Sequence, residues 1–206
     1  MKLSWYGHSC FKYESENCSA VFDPFRPGSV RGYKDLPELS ASAVFCSHTH
    51  GDHFFPEAVS PDYRFSDMKV KRIPCFHDDC SGKKRGLNLI TVVESDNLKI
   101  AHLGDLGHVP DEDILSALRG TDILMIPVGG FYTIGPETAY DLVRKIAPKV
   151  CVPMHYRQGK LGYDVISELT DFLKFFVKNE VVFLSTNTVT DQDLEKGLVL
   201  VPKYMA

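Results

Sequence analysis

Much that would place this chain in a broad class at once is missing from it. No apolar run approaches the roughly 20 residues that span a bilayer, so no membrane-crossing helix is expected. A basic surplus is missing too. Lys and Arg number 23 against 27 Asp and Glu, for a net charge of -4. Nucleic acid, which draws on a basic face, is therefore not an expected partner. The six cysteines (Cys10, Cys18, Cys46, Cys75, Cys80, Cys151) form no CxxC pair and read as buried thiols rather than a disulfide framework. Cys75 and Cys80 bracket His77, and a redox or metal-trapping role is the lesser reading of that pair. Met1-Lys2-Leu3-Ser4-Trp5 runs straight into a strand pattern with no signal-peptide core, which makes a cytoplasmic location the default expectation. With no low-complexity segment and no linker, residues 1–206 are expected to form one domain, large enough to be built from two similar halves.

Against these absences stands one dense motif, His48-Thr49-His50-Gly51-Asp52-His53, directly after the apolar run Ala41-Ser42-Ala43-Val44-Phe45-Cys46. Imidazole is the commonest protein ligand for zinc-like metals, and a carboxylate adds charge that holds a second ion nearby. In an extended loop residues two apart point the same way, so His48 and His50 can grip one ion. Gly51 can take up a turn that sets Asp52 and His53 toward another. The spacing marks a metal site.

Seven strands are predicted in the first half: Leu3–Tyr6, Cys10–Tyr13, Ser19–Phe22, Ala43–Cys46, Val70–Cys75, Asn88–Val93 and Leu98–His102. Helices are predicted over Asp111–Leu118, with Pro110 and acidic residues at its start, and over Pro136–Ile146, stopped by Pro148. A third helix is predicted over Tyr163–Val177, where Ile166, Leu169, Leu173 and Phe176 recur at helical spacing. Buried strands Ile123–Ile126, Val150–Pro153 and Val181–Leu184 lie between the helices, and Gly197–Val201 reads as a last strand. Strands first and strand–helix alternation later imply layered α/β packing. Four polar residues each follow an apolar strand and could converge at one sheet edge: Asp23, His77, Asp105 and His155.

With these residues in hand the chain resembles the metallo-β-lactamase superfamily. All five of its motifs have counterparts in the right order (Asp23, the His48–His53 stretch, His77, Asp105, His155), across about three quarters of the sequence. Gly7-His8-Ser9-Cys10-Phe11, Asp23-Pro24, His102-Leu103-Gly104-Asp105 and Pro127-Val128-Gly129-Gly130 are similar to the small branch that contains ascorbate-6-phosphate lactonase and many uncharacterised hydrolases. The resemblance implies an α/β fold of four-layer αββα sandwich type. It implies two divalent ions, Zn2+ first and Mn2+ or Fe as alternatives. His48, His50 and His77 would hold one ion; Asp52, His53 and His155 the other; Asp105 would bridge them. Asp23 would brace the metal loop by accepting hydrogen bonds.

The chemistry so implied is metal-assisted hydrolysis of a small ester, lactone or phosphoester by a shared hydroxide, with Asp52 orienting that hydroxide or relaying its proton. Candidate substrate contacts are His8, His108, Tyr132 and Arg157, with Tyr156 beside Tyr132 as an oxyanion donor. His102 reads as structural. The Lys83-Lys84-Arg85 run and Arg157 would suit a small anionic substrate, although a solvated charged loop is the more ordinary reading of the run. A nuclease or phosphodiesterase of the same fold is the alternative enzyme. A di-iron oxidoreductase is another, but 206 residues leave no room for the flavin domain its relatives carry. A metal-dependent binding module is the non-enzymatic reading, and a homo-oligomer is left open.

Overall fold

The computed structural model describes residues 1–63 and 68–205. Strands β1 (Lys2–Gly7), β2 (Cys10–Glu14), β3 (Ser19–Phe22), β4 (Leu39–Ala41), β5 (Ala43–Phe45), β6 (Val59–Pro61), β7 (Lys69–Phe76), β8 (Leu87–Ser95) and β9 (Leu98–His102) come first. There follow α1 (Glu112–Leu118), β10 (Ile123–Pro127), α2 (Pro136–Ile146), β11 (Val150–Met154), α3 (Leu169–Leu173), β12 (Val181–Phe183), β13 (Thr188–Thr190) and β14 (Val199–Val201).

Among the described residues the strands make a five-stranded sheet, β13-β1-β2-β3-β5, and a seven-stranded sheet, β12-β14-β11-β10-β9-β8-β7, with a small β4-β6 pair at one side. In the first sheet β1, β2 and β3 are antiparallel hairpin neighbours, and β5 joins parallel to β3. The second sheet is antiparallel through β7, β8 and β9, then parallel through β10, β11, β14 and β12. The parallel strands β10 (ILMIP) and β11 (VCVPM) are buried at every position. Unbroken apolar runs are what strands covered on both faces require. Side chains of both sheets join one hydrophobic cluster, including Trp5, Phe11 and Phe22 from the first sheet and Ile90, Ile100 and Met125 from the second. This is the mixed α/β architecture that the resemblance implies.

Each helix links consecutive strands of the second sheet. Asp111 caps α1 by accepting from the Ile114 N–H at 2.9 Å. Pro136 opens α2, which buries Ala139, Leu142, Val143 and Ile146. In the first half, by contrast, the longest helical element described is a 3-10 turn at Pro56–Ala58. No helix among the described residues is long and apolar enough to cross a membrane.

One expected element fails. The predicted helix over Tyr163–Val177 shrinks to α3, Leu169–Leu173. Its first part spends its backbone elsewhere: the Ser167 N–H donates to Gly129 O at 2.7 Å, the Arg157 N–H to Ser167 O at 2.9 Å and the Leu169 N–H to Arg157 O at 3.1 Å. Ile166, Leu169 and Phe172 are all buried, so the apolar spacing was a burial signal, drawn from a loop and a short helix in succession. The short strands β4, β6 and β13 were not anticipated.

Candidate metal centre

The unusual residues stand where strands end, on both sheets. Asp23 follows β3, the Ser47–His53 loop follows β5, His77 follows β7, Asp105 follows β9 and His155 follows β11. His8 occupies the turn between β1 and β2. His8, Asp23 and His155 all adopt positive φ (49°, 44° and 53°), a conformation that costs an ordinary residue about 1–2 kcal/mol. Such strain persists where surrounding contacts over-determine it, which is a property of functional sites. The metal loop is bent rather than extended, with a turn that brings the His53 N–H to His50 O at 2.9 Å.

Two groups of donors result. The ligand atoms of His48, His50 and His77 lie within 4.8 Å of one another, and so do those of His8, Asp52, His53 and His155. Asp105 stands between them. Its Oδ1 is 3.3 Å from His53 Nε2, and its Oδ2 is 3.3 Å from His77 Nε2 and 3.2 Å from His155 Nε2. Asp52 Oδ2 lies 3.7 Å from His53 Nε2 and 3.5 Å from His8 Nε2. Donors about 2.0–2.2 Å from a common ion sit roughly 3.0–3.5 Å apart along the edges of its coordination shell. The observed spacings mostly match those edges, and most are longer than good hydrogen bonds.

Buried atoms without partners give a second test of fit. His48 Nε2, His53 Nε2, Asp105 Oδ1 and both ring nitrogens of His8 and His155 are buried with no hydrogen-bond partner. Leaving such an atom unmatched costs about 1–3 kcal/mol each, and every one of these residues belongs to a cluster of potential metal donors. Imidazole and carboxylate donors in this arrangement fit divalent ions.

Surrounding contacts fix which ring nitrogen faces inward. Asp23, fully buried, accepts from the Ser47 N–H at 2.6 Å and the Ser47 hydroxyl at 2.7 Å, and its Oδ2 lies 2.7 Å from His53 Nδ1. That contact keeps a proton on His53 Nδ1, so Nε2, facing Asp105, is the nitrogen an ion would take. Ser47 Oγ lies 2.9 Å from His48 Nδ1, and Tyr132 O lies 3.0 Å from His77 Nδ1, with the same effect. Asn88 accepts from the Asp105 N–H at 2.9 Å while donating to Leu103 O at 2.9 Å. Gly104 admits this packing: a Cβ there would lie 2.4 Å from both Asn88 Oδ1 and Ser47 Cβ.

The electrostatics agree. Burial, reinforced by the His53 imidazole, drives His48 down to about 3, and burial together with His155 drives His8 down to about 4. Both rings are therefore neutral and carry a lone pair. Burial works against the Asp105 carboxylate, yet His155 and His53 hold it well below the usual range. His53 differs: burial opposes its protonation, but Asp105 and Asp23 hold its pKa well above the ordinary value, so an ion binding there would have to displace the proton that Nε2 directs at Asp105.

A cavity of about 290 Å3 opens onto the cluster, lined by His50, Asp52, His77, Arg85, Asp105, Tyr132, His155 and Tyr163. A neighbouring hollow of about 300 Å3 shares His77, Arg85 and Tyr132 with it. Larger surface depressions near Lys69 and near Val182 bring no such donors together.

Among the residues expected at the substrate, Tyr132 lines the cavity and three others do not. His8 is fully buried within the second donor group and does not line the cavity. His108 is occupied by the backbone, its Nε2 accepting from the Phe76 N–H at 3.2 Å. Arg157 pairs with Glu168 at 2.7 Å. Tyr156 packs in the core against Trp5, with ring centroids 5.9 Å apart, and its phenol is not available as an oxyanion donor. His102 is structural, stacked on Phe22 with its Nε2 3.0 Å from Ser9 O. All six cysteines are free, and the Cys75 thiol is taken up by Asn88 Nδ2 at 3.1 Å.

Two further residues line the cavity, Tyr163, which the sequence did not single out, and Arg85, which it offered only as part of a basic run. Tyr163, expected on a helix, places its hydroxyl 3.1 Å from Asp52 Oδ2 and 2.9 Å from Ser29 O. Arg85 lays its guanidinium 4.2 Å over the Tyr132 ring, and no carboxylate among the described residues pairs with it. The basic run 83–85 was the one available signal for Arg85; for Tyr163 there was none.

Comparison with known proteins follows the same lines. A family model described as β-lactamase superfamily domain matches residues 2–155. A metal-dependent hydrolase of Desulforamulus reducens is 28% identical over 198 residues, covering 78% of this chain and 86% of its own length. A solved Thermotoga maritima structure, described as a candidate Zn-dependent hydrolase of the metallo-β-lactamase superfamily, superposes with a TM-score of 0.76 at 33% identity, over 98% of this chain and 97% of that one. An isothiocyanate hydrolase from Delia radicum gut bacteria shares the fold, with a TM-score of 0.66 at 14% identity over 100% of this chain and 99% of its own.

Proposed function

The chain belongs to the β-lactamase superfamily domain family and is a metal-dependent hydrolase, and from that premise we propose that it holds two divalent ions and hydrolyses a small, anionic ester, lactone or phosphoester. The observation that carries this proposal is the placing of Asp105 between two donor groups, within 3.3 Å of His53, His77 and His155. His48, His50 and His77 would hold the first ion, Asp52, His53 and His155 the second, and Asp105 would reach both. Zn2+ suits the imidazole-rich donor set best, with Mn2+ and Fe as alternatives. When bound, a pair of such ions lowers the pKa of a water between them and polarises a carbonyl or phosphoryl oxygen.

The side chains do the rest. Asp52 lines the cavity with one carboxylate oxygen accepting from the Tyr163 hydroxyl, a contact that fixes the orientation in which the carboxylate would face the reacting water. Tyr132 presents its ring to the cavity and its carbonyl to His77, so substrate contact and ligand orientation share one loop. Arg85, stacked on Tyr132 and unpaired with any described carboxylate, supplies a fixed cation for an anionic group on the substrate. The volume of about 290 Å3 suits a small molecule.

Elemental analysis of protein purified without added metal tests this. About two zinc or manganese ions per chain are expected, with hydrolysis of a panel of anionic lactones and phosphoesters lost on chelation and regained on adding metal back. Two ions lost without any change in that hydrolysis, or a titration that stops at one ion, would overturn it.

A further inference from the structure

His8 is not needed to fill either donor set, yet its burial and its contacts are those of a ligand. We infer that His8 is a fourth side-chain donor to the second ion, beside Asp52, His53 and His155, with Asp105 shared. This rests on the dinuclear proposal above and goes beyond it in making the two positions chemically unequal.

Four observations carry it. The ligand atom of His8 lies within 4.8 Å of those of Asp52, His53 and His155, the same closeness that gathers His48, His50 and His77. The ring is fully buried, and neither of its nitrogens has a hydrogen-bond partner. Its Nε2 is 3.5 Å from Asp52 Oδ2, too long for a good N–H···O bond and close to the edge of a coordination shell. Its ring centroid is 4.2 Å from that of His155 and 5.1 Å from that of His53.

The turn is also built to aim this side chain inward. His8 sits at φ 49°, its carbonyl fixed by the Trp5 indole N–H at 3.0 Å. The preceding Gly7 at φ 113° packs so closely on Tyr33 that a Cβ would come within 2.4 Å of the ring. A histidine serving only as filler would require neither a left-handed backbone nor a bare Nε2 held beside Asp52. The consequence is an asymmetric pair: four side-chain donors at the first position, counting Asp105, and five at the second. A larger donor number favours ions such as Mn2+ and Fe2+ over tetrahedral zinc.

The test is the proton NMR spectrum of the protein loaded with two Co2+ ions. Imidazoles bound to the paramagnetic ion give strongly shifted ring N–H resonances, while those outside its coordination do not. His8→Asn keeps a residue that tolerates the left-handed backbone, and His8→Gln is the second variant should the first not fold. One shifted resonance fewer than in the parent protein is expected, with a second Co2+ bound at least tenfold more weakly and the first unchanged. A full set of shifted resonances in a folded variant holding two Co2+ overturns the inference and leaves the dinuclear proposal standing. A parent protein that never takes up a second Co2+ overturns both.

Discussion

Replacing Asp23 by Asn changes one charge and almost no volume, and the contacts of that side chain determine what must follow. Its Oδ1 accepts from the Ser47 N–H at 2.6 Å; its Oδ2 accepts from the Ser47 hydroxyl at 2.7 Å and faces His53 Nδ1 at 2.7 Å. An amide has one oxygen and one NH2, so it can reproduce only one side. If the oxygen stays with the Ser47 N–H, the NH2 meets His53 Nδ1 and the Ser47 hydroxyl. His53 must then move its proton to Nε2, the atom that faces Asp105. Ser47, no longer donating to residue 23, turns its hydroxyl toward His48 Nδ1, 2.9 Å away, and pushes the His48 proton to Nε2 as well. Both rings lose the lone pair they offer an ion. Disturbing the partner of a ligating histidine weakens metal binding about 10–100-fold, or about 1.4–2.8 kcal/mol at 1.4 kcal/mol per decade.

If the amide turns the other way, His53 keeps its tautomer, but the NH2 faces the Ser47 N–H with no acceptor between them. A buried unmatched donor costs about 1–3 kcal/mol. For a chain of this length each kcal/mol lowers the melting temperature by roughly 2–4 °C. The assay is therefore double: metal affinity by competition with a chromophoric chelator, and thermal unfolding of the metal-free protein. Asp23→Asn must show a loss in at least one. Parent affinity for both ions together with the parent metal-free melting temperature would refute the tautomer reasoning.

Two further outcomes follow from the cavity. Tyr163→Phe removes a hydroxyl whose one proton is divided between Ser29 O and Asp52 Oδ2, so the expected loss in affinity for the second ion is at the low end for a bond to a charged group, about tenfold; isothermal titration with Zn2+ reads it, and unchanged affinity would detach Tyr163 from Asp52. Arg85→Ala should raise KM for an anionic substrate about tenfold or more while metal content stays at the parent level; steady-state kinetics on a charged substrate and its neutral analogue would show an equal effect on both if Arg85 served the fold rather than the anion.

The parts of the molecule legible in sequence are those whose cause is local. The strands Ile123–Pro127 and Val150–Met154 show as apolar runs because both of their faces are covered. The His48–His53 loop shows because six consecutive residues concentrate the donors. What failed depends on distance through space. Arg157 is two residues from His155 in sequence but turns to Glu168, and His108 is three residues beyond Asp105 yet turns to the backbone of β7. Tyr163 reaches Asp52 only because Ser167 and Leu169 give their N–H groups to Gly129 and Arg157 instead of to a helix. No periodicity records such a choice.

The same distinction bears on why this site holds its shape. His8, Asp23 and the His48–His53 loop hang from the five-stranded sheet, whereas His77, Asp105 and His155 hang from the seven-stranded one. Each proposed ion would take donors from both, so the two donor groups form only when the sheets pack in one relation. Apolar packing holds the sheets together without needing that relation to be exact at the rim, because hydrophobic burial is not directional. Coordination is directional. Ligand binding to the folded state alone adds stability in proportion to the logarithm of free metal over its dissociation constant, about 2.7 kcal/mol at a hundredfold excess. That added stability would act at the seam between the sheets, where strained backbone at His8, Asp23 and His155 and the unmatched ring nitrogens of His8 and His155 otherwise count against the folded chain. The strain and the orphaned atoms are thus what the metal-free fold carries so that two sheets can present one set of donors.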